Sequence, residues 1–283
     1  MKFPAFAYHR PETLEEALHL LADEDARPLA GGQSLLPMMA LRLAAPTMLI
    51  DLSEIAALRQ SDIGMDRARI GAMVTHADNA ASFDIWARLP LMSEALHHVA
   101  HPAVRTRGTF GGSLAHADAG AEMPLVLTAL GGHVLLRSLA GDRRLAAEDF
   151  FLGHYTTAIA QGELLVGAEM PVSPLLWAFE EVSRRAGDLA LAMVASGVRI
   201  EDGRCREVCI AASGVSDRPL RLTEAASALI DRPLDERTIA EAGRIAAASI
   251  TPRSDIHASA DHRRALVDVL VRRTLTRLAQ GDC

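Results

Sequence analysis

Apolar and polar positions follow two different periods along this chain, and the change of period marks its organisation. Leu14, Ala17, Leu18 and Leu21 recur at i, i+3, i+4 and i+7, the stripe of an amphipathic helix. Thr13, with Glu16 three residues on, supplies a capping box for its first turn. Arg27 to Ala30 reads as a short strand that ends in Gly31-Gly32, Pro37 to Leu43 as a second helix, and the compact apolar run Met48 to Leu52 as a buried strand. Together they predict an α/β lobe over residues 1–60.

The texture then changes. Arg69 to Ala72 predicts a strand, Thr75 a helix cap, and Leu91 to Ala100 a helix. Gly108 to Ala121 is rich in small residues and shows no helical period before Glu122, so it reads as a loop, with a helix resuming over Met123 to Gly131. Val134–Arg137 and Leu164–Met170 read as strands. Val172-Ser173-Pro174 marks a boundary. Beyond it, Leu191–Ile200 and Arg206–Ala212 flank Asp202-Gly203, a hairpin signal, and two helices near 236–248 and 260–279 finish the chain. The expected fold class is α+β: a first domain over 1–172, in lobes of about 1–60 and 61–172, then a domain of antiparallel sheet plus helices over 173–283.

Composition narrows the function classes. With 49% hydrophobic and 23% charged residues the chain is an ordinary globular one that can bury a sizeable core. Its net charge of −7 and single lysine, Lys2, argue against nucleic acid and anionic membrane as partners. No run of apolar residues is long enough for a membrane span, and Met1 to Phe6 lacks the apolar stretch of a signal peptide. Cys205, Cys209 and Cys283 are too few and too scattered for a disulfide framework or a four-cysteine cluster, and they fit reduced thiols in the cytoplasm. By strand periodicity Cys205 and Cys209 share one face. His97 and His101, four apart on an expected helix, lack the His-Glu-x-x-His pattern, so no metal site is assigned.

Two stretches carry the chemistry. In Leu29-Ala30-Gly31-Gly32-Gln33-Ser34-Leu35-Leu36 a strand ends, two glycines turn the chain and a helix begins. Such a turn aims backbone N–H groups at one point, where a pyrophosphate fits because no Cβ intervenes. The segment is neither Gly-x-Gly-x-x-Gly nor a phosphate loop with its lysine, so a ligand-free tight connection stays open. The second stretch, Gly108-Thr109-Phe110-Gly111-Gly112-Ser113-Leu114-Ala115-His116-Ala117-Asp118, repeats the Gly-Gly turn and is followed by Glu122. Its small residues let an extended ligand lie on the backbone, and its carboxylates can accept hydrogen bonds from sugar hydroxyls. Two such turns suit one ligand with two ends.

Taken in order, both stretches resemble the FAD-binding medium subunit of molybdenum hydroxylases of the carbon monoxide dehydrogenase and xanthine dehydrogenase type, and the likeness extends over nearly the whole chain. It includes Leu49-Ile50-Asp51-Leu52, Ile70-Gly71-Ala72 with Thr75-His76, Arg184-Arg185-x-x-Asp188 and Pro252-Arg253-Ser254-Asp255. The resemblance implies a two-lobed FAD-binding domain of PCMH type. Leu29 to Leu36 wrap the pyrophosphate and Thr109, Phe110, Gly111, Gly112 and Ser113 form the opposite wall. His116, Asp118 and Glu122 lie along the ribityl and ribose region, His76 and His101 lie near the cofactor, and Leu165 packs against it. No residue of the chain then needs to act as a general base or nucleophile. Electrons would arrive from 2Fe-2S clusters on a small subunit, after substrate hydroxylation on a large molybdopterin subunit, and leave for an external acceptor. Relatives carry an aromatic residue where this chain has Leu189. A stand-alone flavin-dependent oxidoreductase and a non-catalytic nucleotide-binding module are the competing readings.

Overall fold

A computed structural model describes residues 3–281; Cys283 and the first two residues of the Met1–Phe6 segment lie outside the described residues. Strands Ala7–His9, Met48–Asp51 and Ala26–Leu29 form a parallel sheet with Met48–Asp51 in the middle. Parallel pairing requires crossovers, and the Leu14–Leu20 and Leu35–Ala40 helices supply them. The Thr13–Glu16 capping box forms as predicted. Next comes an antiparallel sheet of five strands in the order Ser61–Ile63, Arg67–Gly71, Leu164–Pro171, His133–Ser138, Gly141–Ala146. The chain ends in a four-stranded antiparallel sheet, Leu176–Ser183, Ala190–Glu201, Arg204–Ser213 and Leu220–Arg221, backed by the Glu236–Ala248 and Ala260–Gln280 helices. The α+β class, the two-part N-terminal portion and the C-terminal sheet with helices are those the pattern predicts.

Three apolar clusters hold these layers. One lies between the parallel sheet and the Leu14–Leu20 helix and takes in Leu164 and Val166. A larger one surrounds the five-stranded sheet and reaches Trp177, Phe179 and Met193 of the last sheet. The third fills the space between that sheet and the two final helices. The last two clusters share the four-stranded sheet as a wall, so the C-terminal unit is fixed firmly against the first portion of the chain.

Several local expectations change. Residues Phe110–His116 form a helix rather than a loop. Thr109 caps it, its hydroxyl accepting from the Gly112 N–H at 3.0 Å, and Phe110 and Leu114, one turn apart, are buried. Two glycines lower helix propensity by about 1 kcal/mol each, but a Cβ on Gly111 would lie 2.5 Å from the Ala72 Cβ, so packing requires the residue that propensity disfavours. The helix predicted over Leu91 to Ala100 stops at Leu96, because Ala100 turns to a positive φ of 41° ahead of Pro102. His97 and His101 therefore do not share a helical face. Cys205 pairs with Ile200 and Cys209 with Gly197 across a register shift, which places one extra residue between them and turns the two thiols to opposite faces.

Candidate cofactor site

The segment after the Arg67–Gly71 strand sets the geometry. The Gly111 N–H donates to the Ala72 carbonyl at 2.9 Å, the Phe110 N–H to Val74 at 2.9 Å and the His76 N–H to Gly108 at 3.0 Å. These bonds hold the second glycine turn against the sheet. The first turn then lies directly on the second: a Cβ added to Gly31 would be 2.6 Å from the Arg107 carbonyl carbon and 3.0 Å from the Gly108 Cα. On Gly112 it would come within 3.6 Å of the Ala30 Cβ. The two motifs, about eighty residues apart in sequence, are in van der Waals contact. From the other side the Gln161 side-chain amide donates to the Leu21 and Asp23 carbonyls at 3.3 Å, which ties the two lobes together.

Between the lobes runs a cavity of about 1150 Å³. That exceeds the usual few hundred Å³ of a small-ligand pocket and suits a long ligand. Its floor includes Gly31, Gly32, Gln33, Ser34 and Leu35. Among the described residues, the N–H groups of Gly32, Gln33, Ser34 and Leu35 donate to nothing. Four consecutive free donors, those of Gly32, Ser34 and Leu35 half-buried and that of Gln33 on an exposed residue, at a turn with Gly32 at φ 71° form a cradle for an anion such as a pyrophosphate. This is the observation on which FAD fits the residues present. Further along, Thr109, Gly111, Gly112, Ser113, His116, Asp118, Glu122 and Leu165 line the same space.

The polar side chains around it are strongly perturbed. His76 is buried, its Nδ1 lacks a partner, and burial, helped by the nearby Arg105 charge, lowers its pKa to about 4, so it lines the cavity as a neutral ring. Burial also lowers the His116 pKa, the neighbouring His154 adding to the effect against Asp118. Asp118 accepts from the Gly120 N–H at 2.8 Å and from the Tyr155 hydroxyl at 3.0 Å. Burial and that carboxylate push the Tyr155 hydroxyl up to about 12. Burial, then the charge of Glu181, raises Glu122 to about 8.

Four of the predicted residues stand back from the cavity. Phe110 is wholly in the core. Leu29 and Leu36 sit behind the first turn, where a Cβ on Gly32 would touch both side chains. His101 is exposed and packs beside Gly187, whose Cβ would meet its ring. The cavity also has walls that the sequence reading did not assign: Ala72-Met73, Val104 and Tyr155, the last 37 residues from its partner Asp118, a pairing without a local signal. Asp188 and Leu189 close one end, Leu189 more than half exposed.

Comparison with known proteins agrees along the chain. The family model described as FAD binding domain in molybdopterin dehydrogenase matches residues 4–173, and that described as CO dehydrogenase flavoprotein C-terminal domain matches 177–278. The nicotine 6-hydroxylase medium subunit of Paenarthrobacter nicotinovorans is 43% identical over 97% of this chain and 98% of its own. The crystal structure of quinoline 2-oxidoreductase from Pseudomonas putida 86 contains a chain with a TM-score of 0.97 and 45% identity, covering 99% of both chains. Carbon monoxide dehydrogenase from Hydrogenophaga pseudoflava, in a form lacking the Mo-pyranopterin moiety of the molybdenum cofactor, contains one with a TM-score of 0.95 and 37% identity, covering 100% of both.

Proposed function

Because the chain belongs to the FAD-binding flavoproteins of the molybdopterin dehydrogenases, we propose that it is the medium, electron-transferring subunit of a molybdenum hydroxylase. The Gly32–Leu35 N–H groups would hold the pyrophosphate of FAD, and Asp118 would accept from its sugar and ribityl hydroxyls. The observation that carries this is the contact of the two glycine turns around one large cavity with unpaired donors at its floor. Residues 1–172 hold the cofactor, and 173–283 contribute Gly187, Asp188 and Leu189 to its end wall.

FAD supplies the change of redox state. The chain's own residues bind it, exclude water and set the charge around it. Substrate oxidation takes place on a large molybdopterin subunit, and electrons reach this chain through 2Fe-2S clusters on a small subunit before passing to an external acceptor. The named relatives support this: one is the medium subunit of a hydroxylase, and the others are chains of an oxidoreductase and a dehydrogenase. We place the complex, a heterotrimer in its basic unit, in the cytoplasm, consistent with free Cys205 and Cys209. No helix among the described residues is long and apolar enough to cross a membrane. Purification of a tagged chain from its native cell, with metal analysis and flavin identification on what co-purifies, tests the reading. Co-purified subunits carrying molybdenum and iron, with FAD on this chain, support it; a chain that carries FAD but oxidises substrate without partners contradicts it.

A further inference from the structure

Behind the cavity wall, where the first portion of the chain meets the last sheet, lies a second polar cluster. Glu122, the first residue of the Glu122–Ala129 helix, lines the cavity and is only 6% exposed. Glu181, on the Leu176–Ser183 strand, has a buried side chain: one carboxyl oxygen lies 3.5 Å from His98 Nδ1, and Oε2 has no hydrogen-bond partner. His98 packs against Phe179 with ring centroids 5.2 Å apart and planes tilted by 59°. The other charges of the seam are already engaged. Glu94 accepts from the Phe179 N–H and pairs with Arg277, which also pairs with Glu180. Asp118 is held by Gly120 and Tyr155. Arg221 and Glu148 meet at the opposite end of the helix, where Arg221 donates to the Thr128 and Ala129 carbonyls.

We propose that Glu122 is a neutral carboxylic acid that donates a hydrogen bond to an acceptor atom of the bound flavin nucleotide, and that Glu181, anchored by His98, is the positioning residue that keeps the proton there. Two buried carboxyls in one seam do not both ionise readily. The single histidine beside them lies against Glu181, so Glu122, almost wholly desolvated, is the one that retains its proton. The same effects raise its pKa to about 8. This changes the role that the residue pattern suggests for Glu122, from an anionic acceptor of sugar hydroxyls to a neutral donor, and leaves the acceptor role to Asp118. The donor half of the proposal rests on the FAD reading; the protonation does not.

Infrared titration of the flavin-free chain, followed by FAD binding across the same pH range, tests both halves. A carboxylic acid band at pH 7 that disappears near pH 8 and is absent from Glu122→Gln is expected. The FAD dissociation constant should rise about tenfold per pH unit above that midpoint in the parent chain and stay flat in Glu122→Gln, which keeps a neutral donor. Glu181→Gln removes the like charge and should move the midpoint down by a pH unit or more, with thermal melts at pH 6 confirming that both variants fold. No such band at pH 7, or an unmoved midpoint in Glu181→Gln, overturns the proposal. An intact carboxyl titration with no FAD uptake at any pH overturns the flavin reading and the donor role with it.

Discussion

Replacing Gly31 by alanine separates the two turns at the point where they touch. Gly31 has no positive φ, so alanine meets no backbone strain there, and the cost is steric alone. The new Cβ would lie 2.6 Å from the Arg107 carbonyl carbon and closer still to its oxygen, against 3.4 Å for ordinary contact. Both neighbours are backbone, so no rotamer relieves the clash, and the turns must move apart by roughly 1 Å or more. Overpacking of this kind costs about 1–3 kcal/mol, which for a chain of this size lowers Tm by roughly 2–12 °C. FAD affinity should suffer more than stability, because the donors of Gly32 to Leu35 shift relative to the opposite wall. Loss of about 3 kcal/mol of binding corresponds to roughly a hundredfold weaker Kd. Gly203→Ala is the control: its φ of 72° imposes strain, but nothing lies within 4 Å and it is remote from the cavity. Flavin fluorescence titrations of both variants beside the parent decide the matter. Parent-like FAD affinity in Gly31→Ala would refute the contact of the two turns as the basis of the site.

Other outcomes follow from the same geometry. His76 is held neutral down to about pH 4, against an ordinary 6.5, so stability is present above pH 6.5 and is lost as pH falls toward 4, by at most about 3 kcal/mol. In His76→Asn that part of the acid slope in Tm should vanish. Glu122 has the opposite sign: its raised pKa makes stability fall as pH climbs from 4.5 toward 8, and Glu122→Gln should flatten that limb of the same Tm profile. Arg263, its side chain buried in the C-terminal unit, donates to the Leu191 and Gly214 carbonyls and to Asp255. Arg263→Ala leaves those carbonyls without their donor and should cost about 2–4 kcal/mol in urea unfolding while FAD stoichiometry at low temperature is unchanged.

Much of the frame was legible because local signals and tertiary demands coincide. The Thr13–Glu16 box, the Asp202-Gly203 hairpin with both residues at positive φ, and the long final helix are cases where one short segment contains its own instruction. The Phe110–His116 helix was not, because Gly111 answers to the close approach of Ala72 and not to helix propensity. Strand Ala7–His9 is exposed along its length and is held by backbone pairing to Met48–Asp51, so no alternation announces it. The extra residue that turns Cys205 away from Cys209 breaks the period on which the same-face reading depends. At the site, the glycine turns were visible as sequence, but that they touch is a property of the folded chain. The Tyr155–Asp118 and His98–Glu181 pairs likewise join residues 37 and 83 positions apart.

The proposed function requires one FAD in the cavity between the turns. Its most direct test is equilibrium titration of the purified, flavin-stripped chain with FAD, followed by chromatographic identification of the flavin released on denaturation. Saturation at one FAD per chain is expected, with FMN, which lacks the pyrophosphate, binding far more weakly. A chain that takes up no FAD, or that binds FMN as tightly as FAD, would contradict it.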